Sequence, residues 1–149
     1  MKAAGVGCWI TLFKLRIASL ITFTGVAAAV LAAPEWPAAG TLGLLALTLM
    51  LASASAGALN HVMDADIDAR MRRTQGRPLP SGQVGRGLVV KVALALMVVA
   101  LGAAALGMNR VVALHLFGGA FVYVVIYTAW LKRRSARCSA DAVSPRGRP

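Results

Sequence analysis

Apolar residues in this chain gather into four long runs that are separated by shorter polar stretches. The runs cover approximately residues 17–33, 38–59, 87–106 and 111–131. Each is close to the ~20 residues that an α-helix needs to cross the hydrocarbon core of a bilayer. The pattern therefore predicts four transmembrane helices. The first run is short, and we expect its helix to extend back through residues 12–15 with the Lys14 side chain reaching the headgroups.

The composition supports lipid as the solvent for these helices. Of the 149 residues, 58% are hydrophobic and only 14% are charged, and the mean hydropathy is +0.72. A water-soluble domain of this length needs a more highly charged surface. We therefore expect an all-α integral membrane protein. A cleaved signal peptide is not expected, because Lys14 and Arg16 fall where such a peptide keeps its apolar core.

The distribution of positive charge predicts the topology. The net charge is +11. Fourteen of the sixteen Lys and Arg residues fall in three clusters, at 2–16, 70–86 and 132–148, and Arg110 lies at the edge of an apolar run. This pattern is typical of membrane topology rather than of a nucleic-acid groove. Because positive charge stays on the cytoplasmic side, both termini and the link at 60–86 should be cytoplasmic. We expect a multi-pass protein of the cell inner (plasma) membrane.

The link after the second run holds three of the five acidic residues of the chain, in the stretch NHVMDADIDARMRRTQGRPLPSG at 60–82. Asn60, Asp64 and Asp68 are spaced four apart, so on a helix they lie on nearly one face, whereas Asp66 points to roughly the opposite side. The spacing predicts that the second helix continues past the membrane surface and carries these side chains in one line.

This line of side chains suggests chemistry with a metal and phosphate. Carboxylates and a carboxamide one turn apart are hard oxygen ligands, which suit Mg²⁺ together with substrate phosphates. The arginines that follow offer forked donors to phosphate oxygens. Two plainer interpretations stay open. An acidic cluster is often a solvated face, and positive-inside topology alone explains the arginines.

The residues after the acidic line predict a turn. Gly76, Pro78 and Pro80 break a helix, so the link can fold back over the acidic line. Ser81 is a suitable N-cap for the next helix.

The stretch at 60–82 resembles the first aspartate-rich motif of the UbiA superfamily of intramembrane prenyltransferases. Within it, the pattern D-x-D-I-D-A-x-M-x-R-T-x-x-R-P-L-P-x-G is similar to that of the protoheme IX farnesyltransferase family, the heme O synthases. LFKLRI at 12–17 resembles the start of the family's first helix, with Leu15 in place of the usual proline, and VIYTAWLKRR at 125–134 resembles the end of its fourth. The resemblance implies that residues 1–134 form the first half of a nine-helix fold.

The resemblance also implies an activity and its residues. Members transfer a farnesyl group from farnesyl diphosphate to the 2-vinyl group of heme B, which gives heme O, with Mg²⁺ as the cofactor. The implied metal ligands are Asp64 and Asp68, with help from Asn60. The implied diphosphate-binding residues are Lys14, Arg72, Arg73 and Arg77. The implied catalytic residues are Asp64, Asp68 and Arg77, the last because its turn fixes the backbone.

Other functions compete with this interpretation. A UbiA-type transferase acting on a quinone or chlorophyll precursor typically has N-D at the start of the motif, whereas Asn60 is followed here by His61. A non-catalytic four-span membrane protein that binds divalent cations, or an inert fragment, is a second alternative. A transporter ranks lower, because the pattern predicts no broken helix. For His61 and His115 we expect hydrogen bonds to a neighbouring helix rather than ligation of heme iron.

The final segment, SARCSADAVSPRGRP at 135–149, departs from the family's pattern. It is polar and rich in Arg, Pro and Ser, so we expect it to be disordered, and its composition is typical of a GC-rich gene read out of frame. The family's second aspartate-rich motif has no counterpart here. We therefore expect a truncated or frameshifted product, which pairing with a second copy or with a separate second half would complete.

Overall fold

The computed structural model describes residues 6–69, 74 and 77–131, and every regular element among them is helical. The elements are α1 (Val6–Phe13), α2 (Leu15–Ala32), α3 (Ala39–Asp68), α4 (Arg86–Gly107), α5 (Arg110–Phe121) and a π-helical segment (Val122–Leu131). The predicted tail at 135–149 lies outside the described residues, as does 132–134, the end of the predicted membrane domain.

Four helices are long and apolar enough to cross a membrane, which confirms the prediction of four spans. They cover Leu15–Ala32, Ala39–Asp66, Arg86–Gly107 and Arg110–Thr128. The last of these, called the fourth span below, joins α5 to the first part of the π-helical segment. The second span continues without a break to Asp68, as the spacing of the acidic residues predicted.

Helix α3 lies at the centre of the fold and contacts every other helical element. Small side chains make this close packing possible, because they let helix backbones approach one another in a membrane. The buried alanines of these two helices are Ala52, Ala54, Ala56, Ala58 and Ala65 on α3 and Ala93, Ala100 and Ala104 on α4. Ser55 also donates a hydrogen bond of 2.7 Å to the carbonyl oxygen of Ala93. Such interhelical hydrogen bonds contribute about 0.6 kcal/mol on average.

The helical conformation is interrupted at Lys14, between α1 and α2, and we call this interruption the break at Lys14. Lys14 has a φ of 48° and a ψ of 45°, a left-handed conformation that costs an L-residue roughly 1–2 kcal/mol. Gly57 of α3 lies beneath the break, and a Cβ atom there would be 3.2 Å from the carbonyl oxygen of Phe13. The prediction that the first membrane helix continues through residues 12–15 is therefore wrong, because the chain turns at Lys14 to pack α1 against α3.

The link after α3 folds back over the end of that helix, as the Gly and Pro residues predicted. Leu79 and Val84 are buried and join Leu12 of α1 in one hydrophobic cluster. The expected N-cap role of Ser81 is wrong. Its hydroxyl donates to the carbonyl oxygen of Arg77 at 2.7 Å, and α4 begins only at Arg86, after Gly85.

Candidate functional site

The acidic line lies on a buried face of α3. Asn60 and Asp64 are each 3% exposed and Asp68 is 5% exposed, whereas Asp66 is exposed. The four-residue spacing predicted this arrangement, because residues i, i+4 and i+8 share one side of a helix. A merely solvated acidic face would leave the side chains of Asp64 and Asp68 in water. The structure instead turns them into the protein, where ionised groups need partners.

The break at Lys14 directs its side chain into this line. The Lys14 ammonium donates to Oδ1 of Asn60 at 2.6 Å and to the hydroxyl of Tyr123 at 3.4 Å. Lys14 thus joins the start of α2, the C-terminal third of α3 and the fourth span at one point. The sequence predicted Lys14 as a site residue through its resemblance, and the structure places it beside Asn60.

The π-helical segment supplies two further site residues, Tyr123 and Thr128. Thr128 is buried, and its hydroxyl oxygen accepts a hydrogen bond of 3.0 Å from Nδ2 of Asn60. The same hydroxyl donates to the carbonyl oxygen of Tyr123 at 2.9 Å. The sequence reasoning missed both residues. A signal was available, because polar side chains within an apolar span are costly and often functional.

Arg77 binds the far end of the acidic line. Its Nη1 lies 2.6 Å from Oδ2 of Asp68, and the Thr74 hydroxyl donates to the backbone carbonyl oxygen of Asp68 at 3.0 Å. The backbone N–H of Arg77 donates to the carbonyl oxygen of Thr74 at 3.0 Å. The turn thus fixes the backbone of Arg77 and brings its guanidinium to the site. Arg72 and Arg73, which the resemblance also implied, lie outside the described residues.

The donor set fits a divalent cation that shares its coordination with a ligand. Asp64 and Asp68 provide buried carboxylate oxygens one helical turn apart, and Mg²⁺ typically takes one or two carboxylates together with substrate phosphates and water. Among the described residues, no group of three or more His, Cys, Asp or Glu side chains could hold a metal by itself. Because Oδ1 of Asn60 accepts from Lys14, the role of Asn60 as a metal ligand stays a prediction.

A cavity of about 1280 Å³ opens between α2, α3 and the fourth span. Its lining is mainly aliphatic and includes Ile17, Ile21, Leu45, Leu49, Val112 and Leu116. Lys14 is the one predicted site residue, within the described part of the chain, that lines it. The cavity therefore meets the polar line of α3 at the Lys14 ammonium. An elongated apolar molecule with an anionic end matches this change from apolar to polar lining.

The two histidines take different positions. His115 lines the cavity, and its Nδ1 forms a hydrogen bond of 2.8 Å with the carbonyl oxygen of Val111, one turn earlier on the same helix. His61 is only 5% exposed. The expectation of a hydrogen bond to a neighbouring helix is therefore wrong for His115, because its ring reaches the carbonyl oxygen one turn back on its own helix.

Most of the chain matches a known protein family. The model of the UbiA prenyltransferase family matches residues 20–140. The chain belongs to the UbiA prenyltransferase family. The matched residues include the acidic line, the turn of Arg77 and the π-helical segment, so the UbiA family region contains nearly all of the site described above.

Individual relatives agree with the UbiA assignment. Protoheme IX farnesyltransferase 1 of Paramagnetospirillum magneticum is 45% identical over 126 residues, which cover 85% of this chain and 44% of the relative. Protoheme IX farnesyltransferase 2 of the same organism is 42% identical over 127 residues, with the same coverage of 85% and 44%. The protoheme IX farnesyltransferase of Methylococcus capsulatus is 42% identical over 135 residues, 89% of this chain and 45% of the relative.

This UbiA family chain thus spans less than half the length of the curated relatives it matches. No solved structure matches it. The resemblance found in the sequence and the expected all-helical fold class with four membrane helices are both confirmed.

Proposed function

We propose that this chain binds an allylic diphosphate and takes part in transferring a farnesyl group from farnesyl diphosphate to the 2-vinyl group of heme B, which gives heme O. The observation that carries the proposal is the position of Lys14, whose ammonium lies where the apolar cavity meets the buried polar line of α3. The relatives named protoheme IX farnesyltransferase support the choice of donor and acceptor.

The cations of the site would bind the diphosphate. Lys14 donates a hydrogen bond to Asn60, and Arg77 donates one to Asp68. An anionic ligand would replace these polar partners of the two cations. Charge-assisted hydrogen bonds to phosphate oxygens are about twice as strong as neutral ones. Arg72 and Arg73 would add charge from the same link. The farnesyl tail would extend from Lys14 into the cavity.

The carboxylates would hold Mg²⁺. Asp64 and Asp68 are the ligands that we propose, with Asn60 beside them, and the bound ion would neutralise charge that develops on the departing diphosphate. The bond between the first farnesyl carbon and the diphosphate oxygen breaks, and its electron pair leaves with the diphosphate. The vinyl group supplies the electrons of the new carbon–carbon bond, which leaves a cationic carbon beside the porphyrin ring. Water adds to that carbon and releases a proton, which gives the hydroxyl group of heme O. The aliphatic lining of the cavity keeps water away from the farnesyl chain.

The size of the cavity suits two substrates. Its volume of about 1280 Å³ exceeds the roughly 300–1,000 Å³ of ordinary ligand pockets. A farnesyl chain and part of a porphyrin can therefore occupy it together, which transfer between them requires.

Formation of heme O tests the proposal. Membranes that contain the chain would be mixed with heme B, farnesyl diphosphate and Mg²⁺, and the extracted hemes would be identified by mass. We expect heme O from the parent chain and none from Asp64→Asn. If product forms with a quinone precursor but not with heme, the acceptor is the quinone precursor rather than heme. No product with either acceptor, from a chain shown to be folded in the membrane, would contradict the proposed activity.

We also propose that the site is completed by a second polypeptide, either another copy of this chain or a separate second half. Such a partner would add cations and carboxylates around the same diphosphate. A measurement of the molecular mass of the assembled protein in nanodiscs tests whether the chain forms a homodimer. We expect a dimer, and a strict monomer at high protein concentration would contradict it.

A further inference from the structure

The fourth span changes its helical type beside the site. It is α-helical to Phe121 and π-helical from Val122 to Leu131. Segments of π-helix are rare and frequently occur at functional sites. Thr128 lies within this segment, is only 1% exposed and contacts Asn60 of α3.

The π-helical spacing changes what the Thr128 hydroxyl can reach. In α2, the hydroxyls of Ser19, Thr22 and Thr24 each donate to the carbonyl oxygen four residues earlier. Such side chains satisfy themselves on their own helix. The Thr128 hydroxyl instead donates to Tyr123, five residues earlier, at 2.9 Å, and it also contacts Asn60 of α3.

The hydroxyl proton determines the direction of the contact with Asn60. A hydroxyl has one proton and two acceptor lone pairs. Because the proton of Thr128 is given to the carbonyl of Tyr123, the Thr128 oxygen can only accept from its other neighbour. The carboxamide of Asn60 must therefore present its NH₂ group, and Nδ2 lies 3.0 Å from the Thr128 oxygen.

The opposite end of the same carboxamide obeys an equivalent constraint. The Lys14 ammonium has donors and no acceptor, so it requires the oxygen of Asn60, and the distance from Nζ to Oδ1 is 2.6 Å. The oxygen and nitrogen of an amide are nearly identical in shape, and their assignment rests on such networks. Here the two neighbours demand the same orientation independently of one another.

We propose that Thr128 is a positioning residue that fixes the carboxamide of Asn60 with its oxygen toward the cation beside it. In this structure that cation is the Lys14 ammonium. Where the inference extends to a divalent metal ion on the same face of α3, it rests on the proposed function. Without Thr128, the Lys14 contact alone opposes a rotation of the carboxamide that would turn its N–H donors toward a cation.

Three variants of the full chain test this inference in detergent micelles. Thr128→Val removes the acceptor and keeps the shape, whereas Thr128→Ser keeps the acceptor. Thr48→Val is the matched control, because Thr48 is also fully buried on a membrane helix but donates to the carbonyl oxygen of Leu45 on its own helix, at 3.0 Å. The probe is Mn²⁺ in the presence of inorganic diphosphate, with free Mn²⁺ measured by electron paramagnetic resonance.

We expect Thr128→Val to weaken Mn²⁺ binding about tenfold, within the ~10–100-fold range seen when a partner that orients a metal ligand is lost. Thr128→Ser and Thr48→Val should bind Mn²⁺ as the parent chain does. Binding to Thr128→Val at the parent affinity, or equal weakening in the Ser and Val variants, would overturn the inference.

A second readout does not depend on metal binding. The thermal midpoints of the parent chain, Thr128→Val, Asn60→Ala and the double variant form a double-mutant cycle. We expect Thr128→Val to lower the midpoint much less when Asn60 is already alanine. If the two substitutions change the midpoint additively, Thr128 and Asn60 are not coupled, and the inference is overturned. If the parent chain binds no Mn²⁺, the proposed metal site fails, and this cycle alone decides the role of Thr128.

Discussion

At the scale of single residues, Lys14 determines how this site is assembled. It is the only non-glycine residue in the described part of the chain with a positive φ. Residues held in such conformations cluster at functional sites, where the surrounding structure maintains them. The ammonium that the break directs inward binds Asn60 and contacts Tyr123, so the conformational cost is offset by polar contacts within the protein.

Replacing Lys14 should weaken binding of the diphosphate. We expect Lys14→Met to raise the KM for farnesyl diphosphate about tenfold or more, since a hydrogen bond to a charged group contributes ~1.5–3 kcal/mol. Lys91→Met is the matched control, because Lys91 is an exposed residue of α4. The measurement is the rate of heme O formation at varied farnesyl diphosphate. An unchanged KM in Lys14→Met would contradict the assigned role.

Replacing Arg77 should affect turnover. Arg77→Gln removes the guanidinium that binds Asp68 in this structure and that would neutralise the departing diphosphate. We expect kcat to fall at least tenfold, as for the loss of one group that stabilises developing charge, which costs ~10²–10³ in well-studied cases. Arg86→Gln, at the exposed start of α4, should keep the parent kcat. Equal rates in the two variants would assign Arg77 a structural role only.

At the scale of elements, the contact between the break at Lys14 and α3 depends on Gly57. A side chain at this position would press on the carbonyl of Phe13, so α1 and Lys14 would have to move. We expect Gly57→Val to lower the free energy of unfolding by about 1–3 kcal/mol, as overpacking usually does, and to weaken diphosphate binding. Thermal unfolding in detergent measures the first effect, and calorimetric titration with farnesyl diphosphate the second.

The control for this change lies on the same helix. A Cβ atom at Gly43 would meet nothing within 4 Å, so Gly43→Val tests the cost of valine in α3 without the contact. If Gly57→Val and Gly43→Val destabilise the chain equally, the close approach of the break to α3 does not matter for stability.

The elements also show what the sequence could and could not predict. The four spans and the shared face of Asn60, Asp64 and Asp68 were predictable, because they depend on local periodicity. The partners of Asn60 were not predicted. Lys14 and Thr128 are 46 and 68 residues away along the chain, and tertiary packing alone brings them together. The break at Lys14 and the π-helical segment escaped prediction for a related reason, since their local sequences contain no glycine or proline to mark them.

At the scale of the whole molecule, the helices form an apolar cavity that ends at a buried polar line. Gly119 lines this cavity, whereas the adjacent Gly118 does not, and a Cβ atom at either position would meet nothing within 4 Å. We expect Gly119→Leu to occupy cavity volume without disturbing the helix. The variant should therefore lose preference for farnesyl diphosphate over the shorter geranyl diphosphate.

Competition between the two diphosphates, with product masses as the readout, measures this preference. Gly118→Leu is the matched control and should keep the preference of the parent chain. A loss of preference in both variants, or in neither, would argue against the cavity as the site of the isoprenoid tail.

The most direct test of the account measures ligand binding by the molecule itself. Binding of farnesyl thiodiphosphate, a slowly reacting analogue, would be followed by calorimetry in nanodiscs with and without Mg²⁺. Asp64→Asn would be compared with Asp66→Asn, since Asp64 is buried on the site face and Asp66 is exposed. We predict Mg²⁺-dependent binding to the parent chain and to Asp66→Asn, and a loss of that dependence in Asp64→Asn. Binding that needs no Mg²⁺, or that both variants keep equally, would contradict the central claim that the buried face of α3 forms a metal and diphosphate site.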